Sequence, residues 1–218
     1  MTNQEVLKKV DHTLLKQTAT QEQIMQLCDE AVAYSVASVC IPPSFVSAVK
    51  QRYGDKLSVC TVVGFPNGYN TTETKVFETT DAIKNGADEI DMVINVGWAQ
   101  EERYDLIEQE ISAVRQVTKG RVLKVIVETC FLTTQQKIKL CKVVADAKAD
   151  FIKTSTGFGS GGATRQDVEL FKKHIGDDVK IKASGGIKTL SDAQDFLNLG
   201  CERLGASSIV AEVKRQQS

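Results

Sequence analysis

Eight times along the chain, a short run rich in β-branched residues gives way to a longer stretch of helical period. This alternation limits the fold more than any other feature. Seven of the runs are plain: Ala37–Ile41, Leu57–Gly64, Glu89–Asn95, Val122–Thr129, Phe151–Thr156, Val179–Ala183 and Glu202–Ala206. A weaker first run lies near His12–Leu15. Between them come amphipathic stretches such as Thr72–Lys84, Leu106–Val117, Gln135–Ala147 and Asp192–Leu199. Thr71-Thr72-Glu73-Thr74 and Thr133-Thr134-Gln135-Gln136 read as helix starts, and Gly86, Gly176 and Gly200 as helix ends. Eight β/α units predict an α/β fold of the (β/α)8 TIM-barrel type, with a parallel sheet closed inside a ring of helices. An open doubly wound sheet is the alternative. Three prolines and no Gly/Ser linker argue against a boundary, so residues 1–218 read as one domain.

Composition narrows the function. A net charge of −1, with scattered basic residues, gives no electrostatic case for nucleic acid or an anionic membrane as partner. No run is long and apolar enough to span a bilayer, and the amino end, MTNQEVLKKV, lacks the core of a secretory signal. Six cysteines without a C-x-x-C pair fit buried thiols in a reducing cytoplasm better than a disulfide framework. With only His12 and His174, and no His/Cys pair at metal-ligand spacing, no metal site is expected.

In a closed barrel, functional side chains gather at the carboxyl ends of the strands. Lys153 in Phe151-Ile-Lys-Thr-Ser stands amid apolar residues, where an ammonium is costly unless paired or discharged. The bland alternative is an outward lysine paired to a helix carboxylate. Lys182 in the next run shares a face with Lys180 and sits nearer the carboxyl end. Lys153 and Lys182 on adjacent strands would stand close, each disfavouring the other's charge and so favouring a neutral, nucleophilic amine. Lys180 is expected lower or nearer solvent. Asp91, mid-strand between apolar neighbours, needs a cation and could move protons beside it; a purely structural ion pair is the alternative. Lys124 and Glu128 form another candidate pair, read as network support.

Glycine-rich corners follow the last three strands: Thr156-Gly-Phe-Gly-Ser-Gly-Gly, Ser184-Gly-Gly and Gly205-Ala-Ser-Ser. Backbone N–H groups in such corners cradle anions, and the last strands of β/α barrels often hold a phosphate. Tight turns alone would also explain them. Asp11-His12-Thr13 either lines the mouth or serves as hydrogen-bonding structure. Cys40 reads as a small buried hydrophobe, His174 as a helix-end residue, and Trp98 and Tyr69 as pocket wall or core cover.

The motifs DHTLLK, SVCIPP, VVGFPNG, GADEIDMVIN, LKVIVET, ADFIKTSTGFGSGGAT, IKASGGI and RLGASS, in that order, resemble the deoxyribose-phosphate aldolase family, short bacterial type. The resemblance covers nearly the whole chain; FIKTSTG with KASGG is its most specific part. It implies a class I aldolase on a (β/α)8 barrel, cleaving 2-deoxy-D-ribose 5-phosphate to acetaldehyde and D-glyceraldehyde 3-phosphate without cofactor or metal. It implies Lys153 as imine former, Lys182 as the neighbour that lowers its pKa, and Asp91 as proton donor and acceptor. It also implies phosphate at Gly185, Gly186, Ser207 and Ser208, with Thr156 and Gly157 nearby and Gly205 opening the last corner. Pro42-Pro43 replaces an Asn-Pro common in relatives, Trp98 replaces smaller residues, and the chain stops at Gln217-Ser218 where some relatives carry a tail tyrosine. A homo-oligomer such as a dimer is compatible with this reading. The rivals are another phosphate-binding barrel enzyme and a non-catalytic sugar-phosphate sensor.

Overall fold

The structure, a computed structural model, describes residues 1–217. The strands are β1 (Val10–Thr13), β2 (Ser38–Ile41), β3 (Val59–Val63), β4 (Glu89–Val93), β5 (Val122–Ile126), β6 (Phe151–Lys153), β7 (Lys180–Ser184) and β8 (Arg203–Ala206). The α-helices are α1 (Asn3–Leu7), α2 (Gln21–Tyr34), α3 (Val46–Tyr53), α4 (Thr72–Lys84), α5 (Val96–Gln100), α6 (Tyr104–Val117), α7 (Thr134–Asp146), α8 (Arg165–His174), α9 (Leu190–Asn198) and α10 (Ile209–Gln217). All eight strands pair in parallel and in sequence order, and β8 returns to β1 to close the barrel.

The helix starts follow their side chains. Thr133 and Gln136 form a reciprocal capping box at α7, and Thr71 accepts the Thr74 N–H at α4. Boundaries moved where loops begin early. The first strand lies two residues upstream of the expected His12–Leu15, because Lys9 already accepts the Leu204 N–H. The sixth ends at Lys153 rather than Thr156, although the Thr154 N–H still reaches Lys182 O at 3.1 Å.

Alternate strand residues face opposite ways. The outward set, including Val39, Ile41, Ile90, Met92, Leu123, Val125, Ile152, Ile181 and Leu204, packs against the helices as one apolar core. The inward set is unusual. A barrel interior is ordinarily filled by branched apolar side chains; here it holds Asp11, Glu89, Asp91, Lys124, Lys153, Lys182 and Arg203.

Candidate active site

Lys153 and Lys182 are register partners on β6 and β7, as Asp91 and Lys124 are on β4 and β5. The Asp91–Lys124 level lies two residues below the Lys153–Lys182 level, since Lys124 pairs with Phe151, and inward parity points all four side chains into one space. Lys153 Nζ lies 2.7 Å from Asp91 Oδ2, and Lys182 Nζ lies 2.7 Å from the same oxygen. The two amines therefore share one acceptor. Lys124 Nζ takes the other oxygen, Asp91 Oδ1, at 2.9 Å.

Below them the network continues to the barrel floor. Lys182 donates to Asp11 Oδ2. Asp11 Oδ1 accepts from Arg203 at 2.6 Å and from Ser38 Oγ at 2.8 Å. Arg203 also holds Glu89 at 3.0 Å, and Lys124 reaches Glu89 at 2.5 Å. Burial pushes the Asp91 and Asp11 carboxyls up, but the surrounding ammonium and guanidinium groups outweigh it and hold both well below the ordinary range. Against the opposing effect of burial, Asp11 and Asp91 keep Lys182 charged above the usual lysine range. Lys182 is thus a firmly positive neighbour for Lys153.

The three buried lysines around Asp91 are not equivalent. Lys124 and Lys182 are sealed, whereas Lys153 lines a cavity of about 410 Å³ at the carboxyl ends of the strands. Neither Asp91 nor Lys182 lines that cavity. Thr156, Gly157, Gly185, Gly186, Gly205 and Ser207 line the same cavity. Gly157 and Gly186 have φ of +85° and +80°, and a Cβ on either would meet no atom within 4 Å. Their backbones therefore border open space. Gly205 serves another need: a Cβ there would come within 3.3 Å of Lys182 Cε and 2.9 Å of Ser184 Cβ.

Ser208 departs from the expectation. It is absent from the cavity wall, and its hydroxyl donates to Lys188 O at 2.9 Å, tying down the loop after β7. The expected Lys124–Glu128 pair does not form either. Glu128 leaves the strand at φ +56° and turns its carboxylate onto the next corner, accepting the Thr156 N–H at 3.1 Å and the Thr156 hydroxyl. Thr156 Oγ1 in turn accepts the Phe158 N–H at 3.0 Å. Glu128 is buried, and among the described residues no basic side chain pairs with it.

Lys180 is exposed beside Glu202, as its position low on the strand implied. His12 faces outward to Glu30 at 3.0 Å, and burial lowers its pKa. Trp98 packs on the core and Tyr69 is exposed; neither lines the Lys153 cavity. Sequence reasoning passed over Arg203 and Glu89 and left Asp11 undecided. The available signal was strand parity, which sets Glu89 with Asp91 and places Asp11 between buried neighbours.

Linear spacing also missed a cluster. Cys40, Cys60 and Asp91 bring ligand-type atoms within 4.8 Å, as do Asp11, Cys60 and Glu89. A cation would not fit these donors well. Each carboxylate already holds ammonium or guanidinium groups, Lys124 Nζ lies 3.3 Å from Cys60 Sγ, and burial pushes the Cys60 thiol well up.

The profile of the DeoC/LacD family aldolases matches residues 5–207. The chain belongs to this family. A deoxyribose-phosphate aldolase of Clostridium botulinum is 53% identical over 218 residues, covering 100% of this chain and 99% of the relative. One from Clostridioides difficile is 54% identical over 213 residues, covering 98% and 97%. Among solved structures, the tetrameric deoxyribose phosphate aldolase of Aeropyrum pernix superposes with a TM-score of 0.92 at 27% identity, covering 100% of this chain and 93% of that one. In this DeoC/LacD family member, no helix among the described residues is long and apolar enough to cross a membrane.

Proposed function

We propose that this family member is a class I aldolase that cleaves 2-deoxy-D-ribose 5-phosphate to acetaldehyde and D-glyceraldehyde 3-phosphate through an imine on Lys153. One observation carries the reading: of three buried lysines around Asp91, Lys153 alone opens to the cavity. Charge count supports it. The interior holds the cations Lys124, Lys153, Lys182 and Arg203 against the anions Asp11, Glu89 and Asp91. Discharging Lys153 balances the set. It also has a single carboxylate partner, whereas Lys182 has two.

Neutral Lys153 attacks C1 of the open-chain sugar, and loss of water leaves a protonated imine. Asp91, through a water, takes the C3 hydroxyl proton. The C2–C3 electrons pass to C2, glyceraldehyde 3-phosphate departs, and an enamine remains on Lys153. Protonation at C2 and hydrolysis release acetaldehyde. Lys182 keeps a fixed positive charge beside the nitrogen throughout. The corners at Thr156–Gly157, Gly185–Gly186 and Gly205–Ser207 hold the phosphate, which orients the sugar from a point remote from the broken bond.

The same proposal takes residues 1–218 as one catalytic domain, working in the cytoplasm as a homo-oligomer without metal. Incubation with 2-deoxy-D-ribose 5-phosphate tests the reaction: the two aldehydes should appear in equal amounts and survive a chelator. Binding of the sugar phosphate without turnover would instead favour a sensor.

A further inference from the structure

In ring order the loop after β1 stands beside the loop after β8, since Asp11 pairs with Gly205 and His12 with Ala206. That neighbouring loop carries Lys16, whose carbonyl accepts the Ala19 N–H at 3.0 Å while its side chain is left exposed. Lys16 lines the same cavity as Gly185, Gly186 and Ser207. Among the described residues no carboxylate forms an ion pair with it.

The cavity needs such a group. A phosphate ester carries about −1.5 to −2 at neutral pH. Backbone N–H groups and helix starts offer only partial charges. The cavity wall contains two cationic side chains, Lys153 and Lys16, and Lys153 is committed to Asp91 and to the imine.

We propose that Lys16 is the counter-charge for the substrate phosphate and sets the preference for phosphorylated over unphosphorylated sugar. The inference rests on the phosphate reading of the glycine corners. An exposed lysine acts as a flexible point charge, so its effect is screened by salt.

The test compares kcat/KM for 2-deoxyribose 5-phosphate and for 2-deoxyribose. Lys16→Met should lower the ratio of the two about fivefold, the scale of one partly screened ion pair. The loss should sit in KM for the phosphorylated sugar, with a matching rise in the inhibition constant of inorganic phosphate. The salt dependence of that KM should flatten, and Lys16→Arg should restore most of the ratio. An unchanged ratio, or equal losses on both sugars, overturns the assignment. Gly186→Ala, which puts a methyl on the open side of the corner, separates the two readings. If it raises KM for the phosphorylated sugar while Lys16→Met is silent, the corners hold phosphate without Lys16. If both variants are silent, the phosphate reading falls as well.

Discussion

Replacing Asp11 by Asn removes one anion from the barrel interior while keeping the side chain's shape. Asp11 is fully buried and holds Lys182, Arg203 at 2.6 Å and Ser38 at 2.8 Å. An amide keeps one acceptor oxygen, but its NH2 then faces a group that can only donate. Removing one partner of a buried ion pair typically costs about 3–5 kcal/mol, because the remaining charge is left uncompensated. Arg203 keeps Glu89 and Lys182 keeps Asp91, which places the expected loss nearer about 3 kcal/mol. With a urea m-value of about 3 kcal/mol/M, the unfolding midpoint should fall by about 1 M. Lys180→Ala, on β7 beside Lys182, should move it by less than about 0.2 M, since its ion pair is exposed and 3.9 Å long. Equilibrium unfolding followed by circular dichroism reads both. A midpoint shift for Asp11→Asn no larger than that of Lys180→Ala would refute the view that the interior charges act as one coupled set.

Two further outcomes follow from the same geometry. Because the folded-state pKa values of Asp11 and Asp91 are depressed, their stabilisation is present above the unfolded carboxylate range of about 4 and is lost as pH falls below it. The melting temperature should therefore hold steady from neutral pH to about 5 and fall below about 4, and Asp11→Asn should flatten that acid limb; an unchanged limb would place the acid-sensitive groups elsewhere. Glu128→Gln weakens the grip on Thr156 and hence on the corner carrying Gly157 and Phe158; steady-state kinetics should show KM for the phosphorylated sugar rising about tenfold with kcat nearly unchanged, and a loss confined to kcat would contradict this positioning role.

Much of this was readable in the chain because period and parity are local properties. The eight units announce a barrel, and Lys153 and Lys182 announce themselves as charges on strand positions that must be buried. Their pairing needed only adjacent strands in matching register, and inward parity then aimed both across the interior at Asp91 on β4. Arg203 and Glu89 stayed hidden because each lies at a strand's start, where a charged residue on the floor of a barrel looks like one at any solvent-facing end. Glu128 misled for a different reason. Strand parity put it with Lys124, but a backbone turn at φ +56° swung it onto the Thr156 corner, and side-chain alternation does not foresee that. The grouping of Cys40 and Cys60 is a property of register between β2 and β3, invisible to linear spacing. Ser208 was placed by resemblance rather than by geometry, and its hydroxyl serves the neighbouring loop instead.

The central claim is that Lys153 forms the imine and that Lys182 acts only through its charge. Mass spectrometry of peptides after treatment with acetaldehyde and borohydride tests it most directly. The wild-type chain should carry one reduced two-carbon adduct, on Lys153. Lys153→Ala should carry none at any pH, whereas Lys182→Met should trap slowly at neutral pH and faster as pH rises. An adduct found on Lys182 or Lys124, or one that persists in Lys153→Ala, would contradict the account.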